Sequence, residues 1–161
     1  CKEWRTCGAG FGMSAAGSAT ANRQCAACAA GSTFSGEDSG GACAAVRSPC
    51  QAGQYTKSAA TATSDLVCAA CASGTFTSSA GQSSCTAWAT CPAGHGRSAA
   101  GSATADRQCA ACTQDATFSD AISGDECATV MTCEADEFET SAPSLTSNRL
   151  CQTHSASCPQ G

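Results

Sequence analysis

The sequence predicts a small disulfide-rich fold, mostly loops and short β-strands, arranged as an elongated tandem-repeat rod with a 42-residue period and no large core. Three observations carry this. The 161 residues include 16 Cys, about one in ten, which is the density of a disulfide scaffold. The stretch CGAGFGMSAAGSATANRQCAAC from Cys7 to Cys28 returns from Cys91 to Cys112 as CPAGHGRSAAGSATADRQCAAC, differing at four positions. A more divergent copy, CQAGQYTKSAATATSDLVCAAC, lies between them from Cys50 to Cys71. Bulky apolar side chains are few, with two Trp, five Phe and one Tyr. Burial alone does not offset the conformational entropy of such a chain, so covalent staples must supply the difference.

The period is set by Cys1, Cys43, Cys85 and Cys127, which are 42 residues apart each time. It divides the chain into repeat 1 (1–42), repeat 2 (43–84), repeat 3 (85–126) and an acidic, truncated repeat 4 (127–161). A fixed period of this size implies a quasi-linear stack in which each unit touches mainly its neighbours. A second periodicity overlies the first. Three residues after the first Cys of each repeat stand Trp4, Val46, Trp88 and Val130, large and small in turn, so that two repeats form the larger unit.

Each repeat holds a longer and a shorter loop. The longer runs across 17 residues from Cys7, Cys50, Cys91 or Cys133 to Cys25, Cys68, Cys109 or Cys151. Three residues after its opening Cys comes Gly10, Gly53, Gly94 or Asp136, and three before its closing Cys comes Asn22, Asp65, Asp106 or Asn148. Gly, Asn and Asp tolerate positive φ, and Asn and Asp also accept backbone N–H groups in Asx-turns, so the bends are expected there. Thr20, Thr63, Thr104 and Thr146 fit short extended segments with hydroxyls that help tie the loop. The shorter loop follows the Cys-x2-Cys pair, from Cys28 to Cys43, Cys71 to Cys85 and Cys112 to Cys127. In each, a Thr-Phe pair ending at Phe34, Phe76 or Phe118 and a Ser/Gly/Asp-rich stretch read as a strand, a turn and a return.

Net charge is −5, unevenly spread: residues 1–112 balance at +2 and residues 113–161 at −7. No basic stripe accompanies the aromatics, which argues against a nucleic-acid partner. No stretch approaches the roughly 18 apolar residues of a membrane span, so no membrane insertion is expected within the chain. Disulfide staples persist in oxidising compartments, which places the protein outside the cell or on its surface. The chain opens at Cys1 without a signal segment, which is expected to lie upstream or to belong to a longer parent.

Candidate chemistry is thin. Cys25, Cys28, Cys43 and Cys50 can be drawn as a four-Cys zinc site, but all these spacings recur with the period and His is limited to His95 and His154. No βαβ pattern supports a redox role for Cys-x2-Cys. The acids Asp115, Asp120, Asp125 and Glu126 lack the spacing of a Ca²⁺ loop. His95 takes the slot of Phe11, Gln54 and Glu137, which marks a variable surface position rather than a triad member. No catalytic, cofactor-binding or metal residues are expected, and the reading is non-enzymatic. Asn22 and Asn148 precede Arg-Gln and Arg-Leu, so there is no N-linked acceptor, whereas the abundant Ser and Thr suit O-linked glycans.

At this point the residues resemble a family. The alternation of a Cys28-x2-Gly31-x2-Phe34 loop with a loop ending Thr-Ser-Asp-Leu-Val-Cys, Thr63 to Cys68, resembles the cysteine-rich repeats of tumour necrosis factor receptor ectodomains and the related ephrin-receptor-like repeats of protist and algal surface proteins. The chain departs from the receptor pattern in having no second, interleaved Cys pair inside the longer loop. The resemblance implies local pairing: Cys7–Cys25, Cys50–Cys68, Cys91–Cys109 and Cys133–Cys151 in the longer loops, and Cys28–Cys43, Cys71–Cys85 and Cys112–Cys127 in the shorter. Cys1 and Cys158 are left over, so the chain is expected either to be cut from a longer array or to close Cys158 of one copy onto Cys1 of the next.

The function expected from these features is a non-enzymatic extracellular structural protein, a stapled rod serving as a filament, appendage or surface-coat element and partnered head to tail by copies of itself or by neighbouring repeats. The alternative is a receptor or adhesion ectodomain binding a protein ligand, for which the acidic fourth repeat, with Phe138 between Glu137 and Glu139, is the candidate patch.

Overall fold

The computed structural model describes residues 3–154. Regular structure among them consists of short antiparallel strand pairs, and no helix there is long and apolar enough to cross a membrane. Cys1 and Cys158 lie outside the described residues. The chain divides into two compact units, Cys1–Thr86 and Ala87–Gly161.

In the first unit, β1 (Phe11–Ala15) pairs with β2 (Gln24–Ala27) and β5 (Gln54–Ser58) with β6 (Val67–Ala70); these are the hairpins of the two longer loops. The shorter loops contribute β3 (Thr33–Phe34) with β4 (Ala44–Ala45), and β7 (Thr75–Phe76) with β8 (Thr86–Ala87). The second unit repeats the plan: β9 (His95–Ala99) with β10 (Gln108–Ala111), β11 (Thr117–Phe118) with β12 (Ala128–Thr129), and β13 (Glu137–Ser141) with β14 (Leu150–Thr153). Every long-loop hairpin carries one register shift, between Met13 and Ala15 in the first and at matching places in the others. Such a bulge bends the strand at a fixed point.

Local chemistry explains where the hairpins begin. Gly10, Gly53 and Gly94 have φ near 80° (80, 82 and 79°), where any Cβ is strained. Asp136 holds a bend as well. It turns without a positive φ, and Asp115 alone among described non-glycine residues has one. The threonines differ from the extended segments expected of them. Thr20, Thr63, Thr104 and Thr146 sit outside the strands, where their hydroxyls lie 3.2–3.4 Å from those of Ser18, Thr61, Ser102 and Ser144 in compact hydroxyl turns. These side-chain bonds compete with strand formation and explain the difference.

The interior is sulfur. Cys7, Cys50 and Cys91 are the largest fully buried side chains; Cys28, Cys112, Val130, Thr77 and Pro143 are the other buried side chains among the described residues. Bridges join Cys7–Cys25, Cys50–Cys68, Cys91–Cys109 and Cys133–Cys151, each 18 residues apart. Others join Cys28–Cys43 and Cys112–Cys127 at 15 residues and Cys71–Cys85 at 14. In the chain-entropy account each closure contributes on the order of 3 kcal/mol. The one buried polar side chain among the described residues, Thr77, is satisfied: its hydroxyl accepts the Gly53 N–H at 2.8 Å and donates to the Gln54 carbonyl at 3.3 Å.

Each short loop folds back over its hairpin at two ties. The Cys7 and Ser39 backbones exchange both bonds, at 2.7 and 2.9 Å, and Met13 N–H donates to the Gly41 carbonyl at 2.7 Å. Cys91 with Ser123, and Arg97 with Asp125, repeat this arrangement. Repeat 2 keeps single bonds, Gly81 N–H to Cys50 O and Thr56 N–H to Gln82 O. Within the first unit, Ser35 N–H reaches the Ala62 carbonyl at 2.9 Å and so couples the short loop of repeat 1 to the long loop of repeat 2. Ser119 and Leu145 make the corresponding bond in the second unit, at 3.0 Å.

Candidate functional site

The Asx position before each closing Cys holds the chain that enters the long loop. Asn22, Asp65, Asp106 and Asn148 each accept the N–H of the following residue at 2.7–2.8 Å. With the same oxygen each also accepts an N–H 17 or 18 residues upstream, from Arg5, Arg47, Ala89 or Met131, at 2.8–3.1 Å. The entering strand is thereby pinned across the loop, and the side chain just before it, Trp4, Val46, Trp88 or Val130, is delivered to one defined slot on the long loop.

In repeats 1 and 3 that slot holds an indole. Trp4 lies against Gly17, where a Cβ would come within 3.1 Å of the ring, and Trp88 against Gly101, where the distance would be 2.5 Å. Only a residue without a side chain allows the ring so close. The guanidinium carbons of Arg23 and Arg107 lie 5.5 and 5.6 Å from the ring centroids, in cation–π range. Each arginine also donates to the carbonyl upstream of its tryptophan's loop, Arg23 to Arg5 at 3.2 Å and Arg107 to Ala89 at 3.0 Å. Trp88 donates its indole N–H to the Ser102 carbonyl at 3.0 Å.

In repeat 2 the slot is open. Val46 replaces the tryptophan, Ala60 the glycine and Leu66 the arginine. What remains is a shallow, largely apolar cleft of about 470 Å³ whose walls include Val46, Pro49, Ala59, Ala60 and Leu66. Arg47 stands at its rim, held to Asp65 by an ion pair of 2.9 Å. The backbone N–H of Arg47 first, and its guanidinium second, keep the Asp65 carboxyl below the usual carboxylate range.

The acidic patch of repeat 4 is partly committed to structure. Glu137 accepts the Glu134 N–H at 3.1 Å, and Glu139 pairs with Arg149 at 2.7 Å. Phe138 stacks on His154 with ring centroids 5.1 Å apart, while Leu150 on the neighbouring strand is exposed. His154 occupies the place of Cys28, Cys71 and Cys112, and it keeps their backbone bond by donating to the Asp136 carbonyl at 2.9 Å, as Cys28 does to Gly10. An aromatic pair thus stands where the other repeats begin a short loop. Cys133, Glu137 and Cys151 cluster within 4.8 Å, but the two sulfurs are bonded to each other and offer no thiolate to a metal. Asp115, Asp120, Asp125 and Glu126 are not gathered into such a cluster among the described residues.

Residues 28–68 and 71–109 each match the model of the TNFR/NGFR cysteine-rich region. Each match takes a short loop and the long loop that follows it. No curated protein matches the chain. Among solved structures, the chain is similar to a chain of a human RANKL/OPG complex, with 20% identity, a TM-score of 0.48 and coverage of 93% of this chain and 90% of that one. It is also similar to a chain of a mouse RANKL-OPG complex, with 19% identity, a TM-score of 0.38 and coverage of 80% and 90%.

Proposed function

The chain belongs to the tumour necrosis factor receptor-like cysteine-rich repeat proteins, and from that premise we propose that it is a non-enzymatic, receptor-like extracellular domain that binds a protein ligand. The observation that carries this reading is the pair of matches to the TNFR/NGFR cysteine-rich region. The scaffold suits recognition. Bridges hold the backbone, so the side chains between them are free to vary, and they do: Phe11, Gln54, His95 and Glu137 occupy one slot on the four hairpins. Exposed Phe11, at that slot, and exposed Ile122, Met131 and Leu150 elsewhere supply apolar contact area.

The reading is tested by immobilising the oxidised chain and screening purified secreted and cell-surface ectodomains. Saturable binding by a defined protein, lost when the chain is reduced, is expected. A second reading, an extracellular structural element that associates head to tail, draws on the near-identity of the stretches from Cys7 and from Cys91. Electron microscopy separates the two: isolated particles at all concentrations agree with a receptor-like domain, and thiol-sensitive fibres would contradict it.

A further inference from the structure

We infer that Trp4 and Trp88 are modification sites, each an acceptor for a mannose joined through carbon to the indole Cδ1; this goes beyond the ligand-binding reading and does not rest on it. The chain has two tryptophans, and each stands three residues before a buried opening cysteine, as Trp4-Arg5-Thr6-Cys7 and Trp88-Ala89-Thr90-Cys91. Trp-x-x-Cys, like Trp-x-x-Trp, is a pattern at which the secretory pathway attaches mannose to an indole carbon. A pattern this short counts only where its structural context fits.

The frame does not ask for tryptophan here. Repeats 2 and 4 carry Val46 and Val130 at this position and close their long loops over the same 18 residues. Trp4 is nonetheless held with 52% of its surface exposed, and Trp88 is only half-buried. Both rings are turned alike: the atoms nearest Gly17 and Gly101 are Cδ2, Cε2 and Nε1, so the tight packing against the long loop is made by atoms other than Cδ1. Trp88 keeps its N–H on the Ser102 carbonyl, a bond that substitution at carbon leaves in place. Each ring also lies beside an orphan donor. Among the described residues, Nε of Arg23 and of Arg107 is buried without a hydrogen-bond partner, whereas Nε of the corresponding Arg149 faces the Glu139 carboxylate at 2.7 Å. Buried donors ordinarily find acceptors. The two orphans stand in the two repeats that carry tryptophan, 5.5 and 5.6 Å from guanidinium carbon to ring centroid, and a mannose on the ring brings hydroxyl acceptors to that pair.

The chemistry balances without an oxidant. Cδ1 is an electron-rich carbon beside the ring nitrogen, and the donor is a polyprenyl-phosphate mannose held by a lumenal transferase. Cδ1 bonds to the sugar C1, the bond from C1 to the phosphate oxygen breaks with the phosphate as leaving group, and the Cδ1 proton passes to a base of the transferase. The chain meets such an enzyme in the oxidising lumen where its disulfides form.

The test is fragmentation mass spectrometry of the full chain secreted by host cells with and without a lumenal C-mannosyltransferase. One hexose on Trp4 and one on Trp88 are expected with the transferase and none without it. The sugar should break across its ring and stay attached on fragmentation, whereas an O-linked hexose leaves whole. Trp4→Phe and Trp88→Phe should each remove one hexose. Thr6→Ala and Thr90→Ala should remove none, which keeps the inference testable if a tryptophan variant is not secreted. Unmodified tryptophans in the transferase-bearing cells, or a hexose lost with Thr6 or Thr90, would overturn the inference. Neither result bears on the ligand-binding reading, which is judged by capture of a protein and not by the mass of a peptide.

Discussion

Repeats 1 and 2 lie in one unit, close their long loops over the same 18-residue separation and bury the same opening sulfur, with Cys7 and Cys50 each 1% exposed. They differ in two places. Repeat 1 fills its slot with Trp4 and places Gly12 opposite Ala26, whereas repeat 2 leaves the slot open and places Tyr55 opposite Ala69. The short loops explain the second difference. A Cβ on Gly12 would overlap the backbone N of Cys43 and stand 2.7 Å from its Sγ, because the loop runs only two residues from its tie at Gly41 to Cys43. In repeat 2 the run from Gln82 to Cys85 is three residues, and there the opposing position carries a tyrosine. Repeat 3 sides with repeat 1: Gly96 lies under Cys127, two residues beyond Asp125. Sulfur bridges and Asx pins are the invariant frame, while the slot and the loop seat are what the repeats vary.

The strongest perturbation should erase what the two repeats share. Replacing Cys7 and Cys25, or Cys50 and Cys68, by Ser should cost about 3 kcal/mol or more in either repeat, read as a lowered urea midpoint. A clearly smaller loss in one repeat would show that the frame is not common to both. Next comes the exchange of the opposing residue. Gly12→Tyr should prevent closure of Cys28–Cys43 and leave two titratable thiols, whereas Tyr55→Gly should leave Cys71–Cys85 closed. Overpacking of this kind typically costs about 1–3 kcal/mol. Closure in both variants would detach the loop seat from the glycine.

The slot itself gives a smaller effect. A double-mutant cycle on Trp4→Val and Arg23→Leu, which converts repeat 1 toward repeat 2, should return a coupling of about 0.5–1 kcal/mol, as for an exposed cation–π pair. The smallest effect is at Asp65. Its carboxyl is depressed in the folded chain, so its contribution is present above the unfolded value near pH 4 and is lost as pH falls through the lower folded value. Asp65→Asn, with the amide already used at Asn22 and Asn148, should flatten the acid limb of the urea midpoint while leaving the neutral value nearly unchanged. A midpoint that falls equally at both pH values would assign the residue a purely structural role.

Much of this architecture was legible in the chain. Cysteine spacing exposes the period, glycine and Asx residues mark the bends, and Thr-Phe marks the short strands, because these signals are local. Entry side chains alternating between Trp and Val were legible too. Their surroundings were not. Gly17 and Arg23 lie 13 and 19 residues from Trp4, and nothing in their spacing says that they meet. The Gly12–Cys43 approach is hidden for the same reason. Aligning Cys28, Cys71 and Cys112 with position 154 would have exposed His154 as the substitute, but its stacking on Phe138 needs the hairpin register to be known. The acids of repeat 4 looked like a free patch because sequence does not show which carboxylates already hold an N–H or an arginine.

Peptide mapping of the unreduced protein after proteolysis at acid pH, where thiol exchange is quenched, addresses the frame directly. Seven bridged fragments are predicted, each joining cysteines 14–18 residues apart within one loop, Cys7–Cys25 through Cys133–Cys151. Fragments linking different loops, such as Cys25 to Cys50, or free thiols among these fourteen, would contradict a fold held by near-neighbour sulfur.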